Sequence, residues 1–145
     1  MFVGHFAVAF GAKRLAPALS LGTLFLAAQL ADLIWPVLVL AGVEQLVVAP
    51  GVTVVTPLDF VHYPYSHSLL ALAGWGVLVA CGWLMAKWGG LTAALVLIGT
   101  VVSHWLLDWI THRPDLPLGL GDGPKVGLGL WNSLPATLAV EGALL

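Results

Sequence analysis

The chain has 145 residues, 60% of them hydrophobic and 8% charged, with a formal net charge of −2. A water-soluble domain usually carries about 25% charged residues, so these few charges exclude an ordinary soluble protein and point to lipid as the solvent. The near-neutral balance with no basic run excludes nucleic acid as a partner, and the lone Cys81 excludes an intrachain disulfide. The length suits one integral membrane domain over residues 1–145.

Residues 2–12 are apolar but too short to cross a bilayer at about 1.5 Å per residue. They read as a half-helix with His5 as its polar group. Lys13 and Arg14 follow the apolar run, whereas a secretory signal carries its charges before it, so the start is read as mature structure. Residues 17–43 are long enough for a first span. It holds Gln29 and Asp32, and Pro36 predicts a bend beside the carboxylate, because proline cannot donate to the carbonyl four residues earlier.

Residues 44–65 leave the hydrocarbon. Val47 to Val55 are β-branched on both sides of Pro50-Gly51, the signature of a small hairpin. Ser66-His67-Ser68 opens a second span, about 68–86, with serine as the cap. A third span, about 91–110, carries His104 and Asp108 and leads into His112. Its small residues, including Gly99, would let neighbouring helices approach closely. The Pro- and Gly-rich stretch 113–124 cannot be helical, and about 125–145 reads as a final span ending near Glu141. The expected fold is therefore all-α: a polytopic bundle of four transmembrane helices plus the N-terminal half-helix, with a small extramembrane hairpin.

Ionisable groups inside a membrane are costly and mark function. His104 and Asp108 stand four residues apart and so share one helix face. Counting helical rise from the Lys13/Arg14 and Lys87 side places Asp32 and His104 at roughly 21 Å, and His67 and Asp108 at roughly 27–28 Å. His5 is shallower and joins them only if its helix tilts. Imidazoles and carboxylates without a thiolate suit zinc or manganese. Asp32, His67, His104 and Asp108 make four ligands, and His5 with a bridging Asp108 offers a second site. His112 lies on the Asp108 stripe. Glu141, counted far from the cluster, reads as an interface residue.

His5, Asp32 before Pro36, Tyr65-Ser66-His67-Ser68 and Ser103-His104-Trp105-Leu106-Leu107-Asp108 together resemble the small bacterial membrane-bound metal-dependent hydrolases. That family is distantly similar to zinc-dependent phospholipase C. The resemblance implies a helical centre of one or two divalent ions, held by His5, Asp32, His67, His104 and Asp108. It also implies cleavage of a phosphoester or lipid-like substrate by a metal-activated water that Asp32 or Asp108 orients. The chain lacks a second His-x-x-x-Glu pair, which speaks for fewer than three ions. The Lys/Arg balance between loops predicts a bacterial inner (plasma) membrane protein with its site on the extracytoplasmic side. The rival is a membrane protein that binds or transports a metal ion or protons through the same cluster. It would be expected to show internal repeats, and none is visible. A haem between His67 and His104 is a third reading.

Overall fold

The structure, a computed structural model, describes residues 1–144. Helix α1 (Gly4–Leu15) carries Lys13 and Arg14 in its last turn, where cations complement the helix dipole. At its start, the Glu141 carboxylate accepts from the backbone N–H of Phe2, Val3 and Gly4 at 2.7, 2.6 and 2.9 Å. These donors have no partner within a helix. Ser20 caps α2 (Leu21–Ala28) by accepting from Thr23 N–H.

The predicted first span is a broken one. Helix α2 and helix α3 (Leu30–Leu40) meet at Gln29 with a 49° bend, seven residues before Pro36, which lies inside α3. The break leaves the Ala28 carbonyl to a side chain: His104 Nδ1 lies 2.7 Å from it. It also puts Asp32 in the first turn of α3, at the positive end of that helix dipole.

Strands β1 (Gln45–Val48) and β2 (Leu58–His62) form the expected antiparallel hairpin, but in a different register. Val48 pairs with Leu58, so 49–57 is a wide connection rather than a tight turn at Pro50-Gly51. Thr53, Thr56 and the Trp131 carbonyl hold it through local hydrogen bonds. Helix α4 (Pro64–His67) leads into α5 (Leu69–Met85), whose cap is Ser68, accepting from Ala71 N–H at 3.0 Å.

Helices α5 and α6 (Leu91–Thr111) pack together as a hairpin. The close approach lies at Gly76, where a Cβ would meet the Ile98 backbone at 3.3 Å, and not at Gly99, where a Cβ would point into open space. The buried stripe of α6 runs through Ala93, Leu97, Thr100, Val101, His104, Asp108 and Thr111, the three- and four-residue spacing of one helix face.

Beyond α6, β3 (Leu116–Pro117) pairs with β4 (Lys125–Val126) in a second two-stranded sheet. A 3-10 turn, Leu130–Asn132, and α7 (Leu134–Leu144) complete the described chain. The α-helix of the final segment thus begins only at Leu134: Leu128 N–H bonds the Trp109 carbonyl and Gly129 N–H the His112 carbonyl, pinning 127–129 against the end of α6. Gly127 is required there, since a Cβ would stand 2.1 Å from the Arg113 carbonyl oxygen.

The four-span bundle is therefore overturned. Among the described residues, α6 alone is long and apolar enough to cross a membrane by itself, and the bent α2–α3 pair passes only when taken as one span. Helix α5 has 17 residues and α7 has 11. They reach about 26 and 17 Å, short of the ~30 Å hydrocarbon core. The second small sheet, β3–β4, occupies stretches read as loop and as the start of the final span.

Candidate metal centre

Five of the sequence-selected side chains converge. Helix α6 supplies His104 and Asp108, with His104 Nε2 3.1 Å from Asp108 Oδ2. His67, at the end of α4, puts Nε2 3.4 Å from Asp32 Oδ1 and 3.9 Å from Asp108 Oδ2. His104 Nε2 is 3.7 Å from Asp32 Oδ1. From α1, His5 Nε2 stands 3.2 Å from Asp108 Oδ1, and its ring stacks on that of His104 at 3.8 Å and 4°. Helix α1, packed against α2, α6 and α7, brings His5 to the cluster despite its shallow count along the sequence. Met1 N lies 2.5 Å from the same Asp108 oxygen.

Proton counting shows which ring nitrogens are free. His104 Nδ1 faces the Ala28 carbonyl, which only accepts, so it carries the proton and leaves a lone pair on Nε2 in the neutral ring. His104 Nε2 and both His5 nitrogens are buried without an aligned hydrogen bond. The 3.1 and 3.2 Å approaches to Asp108 are near enough for attraction but not aligned as bonds. Unmet buried groups of this kind cost about 1–3 kcal/mol each and call for a reason.

A divalent ion bound among these groups would supply that reason. Four ligands at the usual zinc distances of about 2.0–2.2 Å stand roughly 3.3–3.6 Å from one another in a tetrahedron. Four of the six separations among Asp32, His67, His104 and Asp108 run from 3.1 to 3.9 Å and bracket that edge. The donor set fits zinc or manganese as it stands. Asp108, with one oxygen toward His5 and the other toward His104 and His67, is placed to bridge two positions.

No family model, curated protein or solved structure matches this chain.

A cavity of about 240 Å³ opens beside the cluster, reached by Asp32, His67 and Asp108 and walled by Trp35, Phe60 and Trp131. Asp32 is its open side, with a side chain 46% exposed against 3% for Asp108. His112 also lines this cavity. Its Nδ1 lies 3.0 Å from Asp115 Oδ1, while Tyr63 donates its hydroxyl to the same oxygen at 3.2 Å. Burial pushes the Asp115 carboxyl up, but the bond from His112 and the Arg113 guanidinium together outweigh it and hold the group below its ordinary value. Burial, with Asp115 beside it, drives the Tyr63 hydroxyl well above its ordinary value, so it stays a donor.

The remaining polar groups fall elsewhere. His62 is outside the cluster, 3.8 Å from Asp122. Arg113 is paired with Asp59 and Asp115, and Lys125 Nζ donates to the Val61 carbonyl. Glu141 is not remote, as the count along the chain implied; it is buried and holds the backbone just before His5. Sequence reasoning passed over Glu44, which is 2% exposed. Its one signal was a lone carboxylate at the end of an apolar run.

Proposed function

We propose that this protein is a membrane-embedded, metal-dependent hydrolase of a phosphoester or related lipid-like substrate. It would be akin to the small bacterial membrane-bound hydrolases that its motifs resemble. The observation that carries the proposal is the convergence of Asp32, His67, His104 and Asp108, with the buried His104 Nε2 unbonded, beside an accessible cavity. Such a site would take zinc or manganese, one ion within these four and a second at His5 with Asp108. A divalent ion there brings the pKa of a bound water toward about 7 and polarises a phosphoryl or acyl oxygen.

The chain's own groups then have separable roles. Asp108, buried and shared between histidines, holds the centre together. Asp32 faces the cavity and is the carboxylate able to orient or deprotonate a water. His112, which donates from Nδ1 to Asp115, lines the cavity with its other ring nitrogen free to accept a hydrogen bond. The β1–β2 hairpin acts as a lid, because Leu58 and Phe60 of β2 form the far wall of the cavity. Lipid surroundings are supported by the broad apolar exterior, with Leu26, Val37, Leu40, Leu78, Leu95 and Leu106 all more than half exposed. The placement we propose is the bacterial inner membrane, with the cavity toward the extracytoplasmic side.

Metal analysis of detergent-purified protein, beside Asp108→Ala and His104→Ala, tests the centre. Stoichiometric zinc or manganese in the wild type and its loss from the variants is the expected result. A metal-free wild type, or variants that keep the metal, refutes it. Turnover of bis(p-nitrophenyl) phosphate and of a phosphodiester lipid in mixed micelles then separates hydrolysis from the metal-binding or transport reading, which predicts metal without turnover.

A further inference from the structure

Glu44 is a buried carboxylate that accepts three hydrogen bonds, yet it lies outside the cluster. It stands between α3 and β1, and its Oε1 accepts from the backbone N–H of Tyr65 and Ser66 at 2.8 and 2.9 Å. Its Oε2 accepts from Ser66 Oγ at 2.6 Å, and Ser66 Oγ lies 2.7 Å from His67 Nδ1. Glu44, Ser66 and His67 are all buried.

In a neutral His67 ring, one proton arrangement of this chain makes both short bonds of Ser66, at 2.6 and 2.7 Å, in preference to the longer 3.4 Å bond from His67 Nε2 to Asp32 Oδ1. A carboxylate only accepts, so the single hydroxyl proton of Ser66 is committed to Glu44. The serine oxygen can then only accept from His67, which places the ring proton on Nδ1. His67 Nε2, facing Asp32 and Asp108, keeps its lone pair. A histidine ligand is commonly set in this way by a hydrogen bond on its other nitrogen.

We infer that Glu44, acting through Ser66, is the positioning residue that fixes the tautomer of His67 and presents its Nε2 to the cluster. This rests on the reading of His67 as a ligand, but the tautomer itself can be observed without any metal. The same carboxylate grips the backbone of α4 while standing next to β1, so the ligand and the cavity lid share one anchor.

Glu44→Gln is an informative variant. The amide oxygen replaces Oε1 under the two backbone donors, which turns the amide nitrogen toward Ser66. Ser66 then accepts from Gln and gives its proton to His67 Nδ1, forcing the ring proton onto Nε2. Nitrogen-15 NMR of histidine-labelled, metal-free protein in detergent, with His67 assigned by its loss in His67→Gln, reads this directly. The wild type is expected to show the Nδ1–H form, Glu44→Gln the Nε2–H form and Ser66→Ala a mixture, with Ser66→Thr restoring the wild-type form. Zinc affinity by chelator competition is expected to fall roughly 10–100-fold in Glu44→Gln and Ser66→Ala and to recover in Ser66→Thr.

Ser66→Ala keeps the two backbone bonds of Glu44 and so guards against a misfolded Glu44 variant. A wild-type Nε2–H tautomer, or an unchanged tautomer in Ser66→Ala, overturns the relay. So does wild-type zinc affinity in both variants while Asp108→Ala abolishes binding. A wild type that binds no zinc refutes the metal reading instead, and the tautomer spectra then decide the relay alone.

Discussion

Asp108 and Asp32 are both carboxylates of the cluster, but their surroundings assign them different work. Asp108 is buried and flanked by His5 and His104, and Asp32 opens on the cavity. Replacing the exposed one should therefore separate chemistry from folding. Asp32→Asn is expected to lower turnover by about 100-fold or more while moving the stability of the metal-free protein by no more than about 0.5 kcal/mol; turnover with metal and the thermal midpoint with chelator check both. Asp115 gives a pH signature. Its carboxyl is held below the ordinary 3.8 in the folded chain, so its stabilising effect is full above that value and is lost as pH falls through the folded one. The stability advantage of wild type over Asp115→Asn should be present at neutral pH and shrink in acid below the ordinary carboxyl value, read from unfolding midpoints across pH.

At the scale of elements, two contacts set where the cluster histidines stand. Glu141 of α7 holds three backbone donors just ahead of His5. Glu141→Ala would leave them without that acceptor, costing on the order of 2–3 kcal/mol. It should also loosen α1, seen as faster amide exchange at residues 2–6. Gly127 lies against the Arg113 and His112 carbonyls, where no side chain fits. Gly127→Ala is expected to destabilise by roughly 1–3 kcal/mol through overpacking and to displace Trp131 from the cavity wall, measurable as a change in tryptophan fluorescence. The broken α2–α3 pair belongs to the same scale. Its bend at Gln29 supplies the carbonyl that orients His104, and a straight span would have neither.

For the whole molecule, the proposed metal is expected to report on folding. An ion bound by the native state alone adds about 2.7 kcal/mol at a free concentration 100 times its dissociation constant. Saturating zinc should raise the thermal midpoint of detergent-solubilised protein by several degrees, chelator should reverse it, and Asp108→Ala should show neither response. Membrane residence has its own check: the expressed chain should stay in the pellet after an alkaline carbonate wash, and its release would refute the proposed lipid setting.

Local chemistry determined much of this before any packing was considered. The four-residue spacing of His104 and Asp108 on one helix, the serine cap before α5 and the non-helical 113–124 stretch follow from periodicity, hydrogen-bonding capacity and the limits of proline and glycine. So does the selection of His5, Asp32 and His67, since a titratable group in an apolar run has few inexpensive roles. What only the tertiary structure decided depends on contacts between distant segments. The stacking of His5 on His104, the bend at Gln29 instead of Pro36, and the place of Glu141 beside α1 are of this kind. The number of spans misled for a related reason: hydropathy records that a segment is apolar, not that backbone bonds to a neighbour such as the end of α6 will stop it becoming a helix. Glu44 shows the same limit. Its role arises from donors some twenty residues away, and no local pattern announces them.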